Sequence, residues 1–272
     1  TIDEKENLII ELGAEWVGNS HERIHNLCNE FGLELQNNQF DTHLIYKGNY
    51  YKKNEWDYSE DWNKKFKAII DHYPKLTQAE KLKIDKMDWW RFLVNNGCEG
   101  RDLDIRELLD STDFGETIRS VSAFAALAEY AESSEKNEMD LKIKGGNSML
   151  AKKIADKIGN DKIKLQHAVS RVVQNSKGGV TVYCNNGQKF TADKIICTAP
   201  TFAVKKIKWE PGLPVDQVNA MNELQYARIN KNPIVFKKRF WNDESFDMIT
   251  DQSPHYFYHA TKNQDSKKGV LI

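Results

Sequence analysis

The sequence predicts a mixed chain of 272 residues, α/β in type with α+β character, in which strand-forming segments flank a helical, aromatic block. Three patterns carry that prediction. A glycine-bearing turn, Glu11 to Gly18 (ELGAEWVG), joins the apolar pair Ile9 and Ile10 to a segment of helical periodicity. From Trp62 to Ala131, apolar and aromatic side chains recur at helical spacing. Beyond residue 160, short alternating runs are separated by Gly178-Gly179 and by Asn185-Asn186-Gly187, which is hairpin chemistry.

Ile9 and Ile10 read as the end of a first strand. The next helix places Ile24, Leu27, Cys28 and Phe31 on one face, with Asn19 as its cap, Glu22 as the reciprocal partner and Gly32 as its stop. A hairpin joins His43–Tyr46 to Tyr50–Lys52 through Lys47, Gly48 and Asn49. Trp62, Phe66, Ile69 and Tyr73 form one helical face, Thr77 and Glu80 spell a capping box, and Trp89, Trp90, Phe92 and Leu93 form a second face. Asp104–Leu109 reads as a short helix after a break at Gly100, and Glu116–Ala131 as a long buried one. Asn147 is placed to cap a helix that carries Leu150, Ile154 and Ile158 and stops at Gly159. Strands are expected at Ile163–Leu165, Ala168–Gln174, Val180–Cys184 and Lys189–Ala192. Ile195–Cys197 reads as a short buried parallel strand, and Gly269–Ile272 as a last strand.

A net charge of -1 with dispersed basic residues suggests neither a nucleic-acid groove nor a polybasic membrane patch. No apolar run approaches the roughly 18 residues that span a bilayer. Cys28, Cys98, Cys184 and Cys197 lack C-x-x-C spacing and sit mostly among apolar neighbours. They read as reduced core residues rather than a metal site or a disulfide framework. A cytoplasmic setting is favoured, while compartment and oligomeric state stay open. His21 and His25 are four apart on a helix, yet no third ligand of suitable spacing lies near, so no metal is expected.

Residues 11 to 34 followed by 144 to 241 resemble the flavin-containing amine oxidases, the family of monoamine, polyamine and L-amino acid oxidases. The resemblance is carried by Glu11-Leu12-Gly13-Ala14-Glu15-Trp16, Gly145-Gly146, Val169, the run from Ile195 to Pro200, the segment from Trp209 to Pro214, and Lys231 ten residues before Trp241. It extends over roughly the whole chain, with residues 47 to 140 matching loosely. It implies a partial two-dinucleotide-motif FAD-binding domain, residues 1–42 and 144–222, and a mixed-sheet and helical substrate domain, residues 43–143 and 223–272. No G-x-G-x-x-G opens a βαβ unit in this sequence, although that element would hold the flavin pyrophosphate. The chain starts at Thr1 close to the middle of the family pattern and stops at Ile272 in a strand-like run, so it is expected to be an internal piece of a longer oxidase.

The same resemblance implies that Gly13, Ala14, Glu15 and Trp16 lie against the flavin and that the main chain of Val169 contacts the adenine. It also implies that Lys231 holds a water against flavin N5, for proton transfer or oxygen activation. Read from its neighbours alone, Lys231 is a lysine on a partly buried strand, which must find partners, lower its pKa or snorkel. Gly145 and Gly146 suit a plain loop and close packing beside a ring about equally, and Thr198 to Pro200 sits at a strand end where open α/β sheets bind ligands. Glu15 departs from the residues common at this turn, and Trp16 stands where amino acid oxidases carry an arginine, which argues against an amino acid substrate. A carboxylate facing the pocket would favour a cationic amine, and otherwise Glu15 is a turn residue. The implied reaction is FAD-dependent oxidation of a small-molecule amine to an imine, with electrons passed to oxygen. The rivals are a desaturase or protoporphyrinogen-type oxidase on the same scaffold, and a flavin-less binding module.

Overall fold

The computed structural model describes residues 5, 8–133, 139–176 and 178–272. They divide into two compact units, residues 1–153 with 227–272, and residues 154–226.

In the larger unit, α1 (Glu22–Phe31) ends at Gly32, whose φ of 63° lets the chain turn back while Leu33 N–H bonds to Cys28 O at 2.8 Å. Its start differs from expectation. His21, not Asn19, holds the cap position, and no side chain caps the helix. The two histidines grip the turn before it instead: His21 Nδ1 accepts from Gly18 N–H and His25 Nε2 donates to Gly18 O, each at 3.1 Å. Ile9 and Ile10 form no strand, because one side chain does the work of a partner strand. Gln264 accepts from Ile9 N–H at 2.8 Å and donates to Ile9 O at 2.6 Å.

After β1 (Leu35–Asn37), β2 (Asp41–Tyr46) and β3 (Asn49–Tyr51) form the expected hairpin, closed by Lys47 and Gly48 at φ 50° and 77°. The helical block comprises α2 (Glu60–His72), α3 (Gln78–Asp85) with its Thr77–Glu80 capping box, α4 (Trp89–Asn95), α5 (Gly100–Phe114) and α6 (Ala123–Glu132). Gly100 opens α5 rather than preceding a short helix, and α5 runs for 15 residues. The expected long helix from Glu116 is shorter, starting at Ala123 under a Ser122 cap. Residues before it stay out of the helix because their carbonyls serve α4: Trp90 N–H bonds to Ile118 O at 3.2 Å and Trp89 N–H to Val121 O at 2.9 Å. Trp62, Trp89, Leu93, Ile118 and Leu127 are the buried centre of this block.

β4 (Leu141–Ile143) pairs with β1, and α7 (Ser148–Ile158) follows, stopped at Gly159 by a φ of 94°. The smaller unit contains β5 (Val169–Gln174), β6 (Val180–Cys184), β7 (Lys189–Ala192), α8 (Thr201–Val204), β8 (Lys208–Glu210) and α9 (Val215–Glu223). Its sheet runs β7-β6-β5-β8, antiparallel except where β8 lies parallel to β5. Two expected strands are absent. Residues 163–165 form no strand: the turns after Gly159 run up to them, with Lys162 N–H bonded to Gly159 O and Ile163 N–H to Asn160 O, and Leu165 is exposed. Ile195–Cys197 forms no strand and pairs with no described strand, and Ile196 is 89% exposed. Its apolar run calls for flanking strands that the four of this sheet do not supply. Cys197 is accordingly exposed, whereas Cys28, Cys98 and Cys184 are buried thiols as expected.

The larger unit is completed by β9 (Ile234–Phe236), β10 (Phe246–Thr250), β11 (Tyr256–Tyr258) and β12 (Gly269–Leu271). Its main sheet runs β11-β10-β2-β3, with β10 parallel to β2 and the other pairs antiparallel, while β12 pairs with β9. One face of that sheet carries Leu44 and Ile249 against Ile105 and Leu108 of α5. The remaining core gathers Tyr258, Ala260 and Val270 with Trp16 and Phe40. Side chains alternate across a strand, so Tyr256 and Tyr258 of β11 point the same way, and Tyr258 extends toward the Glu11–Gly18 turn.

Candidate active site

The Glu11–Gly18 turn is held in place by α7. Glu11 Oε1 accepts from Asn147 N–H at 2.5 Å, which puts a carboxylate at the positive end of a helix. Asn147 does not cap α7 with its side chain. Its Nδ2 donates instead to the carbonyls of Ala14 and Glu15, and its buried Oδ1 is left without a partner. Gly146 must be glycine here: its φ is 96°, and a Cβ would meet Ile9 Cγ2 at 3.0 Å and Glu11 Oε1 at 3.1 Å. The close approach that this glycine permits is therefore to the turn itself.

Along the turn, Leu12, Gly13 and Ala14 are exposed while Glu15 is only 2% exposed. A Cβ at Gly13 would touch nothing within 4 Å. Ala14 adopts φ 52°, a left-handed conformation costly for a residue with a Cβ, and Asn147 Nδ2 bonded to its carbonyl holds it there. The N–H groups of Gly13 and Ala14 donate to no acceptor among the described residues.

Glu15 turns inward. Its Oε1 accepts from Asn38 Nδ2 at 3.3 Å and lies 3.7 Å from Lys142 Nζ. Its Oε2 accepts from Tyr258 O–H at 2.6 Å and lies 4.0 Å from Lys231 Nζ. The carboxylate thus serves two ammonium groups and a phenol, and is no open counter-charge for an incoming cation. Trp16 packs on the Tyr258 ring at 5.3 Å between centroids.

Lys231 does not lie on a strand. Residues 224–233 are irregular and β9 begins at Ile234, directly after Pro233, which lacks the N–H a ladder needs. Lys231 nevertheless reaches the Glu11–Gly18 turn and Tyr258. Its Nζ donates to Tyr258 Oη at 3.1 Å and to Glu11 O at 3.5 Å, and lies 5.3 Å from the Trp16 ring centre. With its side chain 20% exposed, it is the outermost member of the group. Burial holds its pKa below the usual lysine value, against the pull of Glu15 and Glu11. Burial likewise lowers the Lys142 pKa against Glu15, and burial followed by the Glu15 charge raises that of Tyr258.

Of the residues that the resemblance singles out, the structure brings Glu15, Trp16 and Lys231 within reach of one another, and it adds Lys142 and Tyr258, which sequence reasoning missed. Lys142 and Tyr258 sit inside apolar strands, Leu141–Ile143 and Tyr256–Tyr258, where a charged or phenolic side chain needs a partner. That was the available signal, but their partner lies over a hundred residues away in sequence. Asn147 was read as a cap because its spacing suits one. Val169, in the other unit, begins β5 and is half-buried, with Asn185 N–H bonded to Ala168 O just before it. Among the described residues no three His, Cys, Asp or Glu side chains group as a metal site, and no helix is long and apolar enough to cross a membrane.

The exposed main chain at Gly13 and Ala14, its free donors, the unpartnered Asn147 Oδ1 and a neighbouring ammonium suit a flat, polar-edged ring such as the isoalloxazine of FAD. The family model for flavin containing amine oxidoreductases matches residues 1–271. A probable flavin-containing monoamine oxidase A of Dictyostelium discoideum is 21% identical over 98% of this chain and 64% of its own length. A probable polyamine oxidase 4 of Arabidopsis thaliana is 32% identical over 40% of this chain and 23% of its own. Among solved structures, putrescine oxidase bound to putrescine aligns with a TM-score of 0.80 at 18% identity, covering 98% of this chain and 66% of that one. Cyclohexylamine oxidase from Brevibacterium oxydans aligns with a TM-score of 0.76 at 18% identity, covering 97% and 63%. The chain spans about 64% of the length of the Dictyostelium relative.

Proposed function

The chain belongs to the flavin-containing amine oxidoreductases, a family whose cofactor is FAD, and from that premise we propose that it is the part of an amine oxidase that seats the isoalloxazine ring and supplies the lysine beside it. The observation that supports this most is Lys231: a half-buried ammonium that donates to Tyr258 and to the Glu11 carbonyl of the turn and faces Glu15. FAD held there would supply hydride acceptance from the carbon bearing a neutral amine and electron transfer to oxygen, so that the amine would become an imine that hydrolyses.

The roles of the protein residues follow from their chemistry. Gly13 and Ala14 offer main-chain donors and no side chain in the way. Trp16 backs the lysine with an aromatic face, and Lys231 orients a water for proton transfer or oxygen activation with donors that need no reorganisation during reaction. Glu15 fixes that arrangement from behind, and Val169 offers main chain to the adenine. Residues 1–42 and 144–222 are assigned to the cofactor-binding domain, and residues 43–143 and 223–272 to the substrate domain.

Lys231→Met in the full-length, FAD-loaded protein tests the reading. The thioether keeps length and packing while removing all three donors. Oxygen reaction is expected to slow at least about tenfold, ~1.4 kcal/mol of lost transition-state stabilisation, with the amine half-reaction less affected. Stopped-flow separates the two halves. Unchanged reoxidation in a folded, flavin-loaded variant would return Lys231 to the status of a snorkelling side chain.

A further inference from the structure

We propose that Lys142, Glu15 and Tyr258 are positioning residues for Lys231, and that the one negative charge of Glu15, divided between two ammonium groups, sets how strongly Lys231 keeps its proton. This rests on the placement of Lys231 beside the flavin, and goes beyond it by assigning that lysine's charge to a residue on the far side of Glu15.

The geometry is a chain. Lys231 Nζ donates to Tyr258 Oη at 3.1 Å, and Tyr258 O–H donates to Glu15 Oε2 at 2.6 Å. The other carboxylate oxygen faces Lys142 Nζ at 3.7 Å. Lys231 Nζ itself stands 4.0 Å from Glu15, so the two lysines compete for one carboxylate at nearly equal range. Lys142, Glu15 and Tyr258 are buried, at 6%, 2% and 2% exposure, where charge–charge interactions are weakly screened. Only Lys231 reaches outward, so it is the member whose proton can exchange with the surroundings.

Neighbouring charges do not dissolve this arrangement. Glu11 favours the Lys231 cation, but its carboxylate is bonded to Asn147 N–H at the start of α7. Lys262 opposes the Lys142 cation, while its own ammonium is bonded to Gln39 O and lies 4.9 Å from the Phe40 ring centre. His259, which is fully buried on the stretch after β11, feels Lys142 as a like charge. Glu11 favours the Lys142 cation as well, but among the described residues Glu15 is the carboxylate that lies within 4.0 Å of both lysines.

The proposal predicts shifts of opposite sign. Removing Glu15's charge takes an opposite charge from Lys231, whereas removing Lys142 takes away its competitor. In the full-length protein, with and without FAD, the titration of Lys231 is followed by NMR of 13C,15N-labelled lysine, its resonance identified by its loss in Lys231→Met. Glu15→Gln should lower the Lys231 pKa by about one unit or more, and Lys142→Met should raise it by a comparable amount. Lys142→Arg keeps the charge and should restore the wild-type titration to within a few tenths of a unit, which a packing role would not require. Tyr258→Phe removes the bridging hydroxyl and should lower the Lys231 pKa as Glu15→Gln does, by a smaller amount. Should Glu15→Gln fail to fold by circular dichroism, the Lys142 pair alone carries the test. Lys231 titrations that are unmoved, or moved in one direction by both charge-removing variants, overturn the proposal. Opposite shifts with normal reoxidation in Lys231→Met would leave the charge-sharing intact and remove Lys231 from catalysis.

Discussion

Two buried clusters in the larger unit use the same ingredients and end differently. In the helical block, Arg106 and Asp110 of α5 form a pair at 3.4 Å with both side chains at 5% exposure or less. Asp110 also accepts from Trp89 Nε1 at 2.6 Å and Tyr130 O–H at 2.7 Å, and the guanidinium lies 3.8 Å from the Phe66 ring centre. Aromatic rings pack against it from three other helices, Phe66 of α2, Trp89 of α4 and Tyr130 of α6. The Glu15 cluster is also buried, but it holds two cations to one anion, and one of them, Lys231, reaches outward and donates to the Glu11 carbonyl. A closed charge cluster fastens helices together, whereas one with an exposed member has chemistry left to offer.

The comparison can be broken most sharply at Asp110. Asp110→Ala leaves Arg106 buried without its counter-ion and removes the acceptor of Trp89 and Tyr130, so unfolding in urea should show a loss of about 3–5 kcal/mol. A loss below about 1 kcal/mol would mean that the rings, and not the charge, fasten α5. Burial already holds the Asp110 carboxyl above its usual pKa despite Arg106, Trp89 and Tyr130, which marks how dry the site is.

An intermediate effect is expected from His259, which is fully buried and bonded to Thr261 Oγ1 at 3.1 Å. Burial pushes its pKa down to about 4. The unfolded chain then takes up a proton below about pH 6.5 that the folded one refuses, so stability is lost as pH falls from about 6.5 and levels off below about 4. The urea midpoint of His259→Gln should fall less over that window than the wild-type midpoint. Parallel curves would assign the acid loss to carboxylates. The smallest change is expected at the edge of the Glu15 cluster. Ala14→Gly relieves a left-handed alanine and should stabilise the fold by up to about 1 kcal/mol, seen as a rise of a few degrees in Tm. A lowered Tm would show that the Ala14 methyl packs usefully.

Much of this was legible in the sequence. The family follows from the order of short motifs, and the β2–β3 hairpin, the Thr77–Glu80 box and the Gly32 and Gly159 stops were readable because each depends on neighbours a few residues apart. Readings that needed a distant partner failed. Ile9 and Ile10 found a glutamine side chain instead of a strand, residues before Ala123 gave their carbonyls to α4, and Ile195–Cys197 has apolarity without pairing.

The sequence by itself therefore determined family membership and those local features whose signal lay within one or two helical turns, such as the Thr77–Glu80 box, the β2–β3 turn and the Gly32 and Gly159 stops, though not the caps at Asn19 and Asn147, whose side chains were left out of or drawn away from the cap. Only the tertiary structure decided that Glu15 faces inward to Lys142, Tyr258 and Lys231, residues between 127 and 243 positions away along the chain. Charge pairing in a dry interior depends on separation in space and on burial, and neither can be read from separation in sequence.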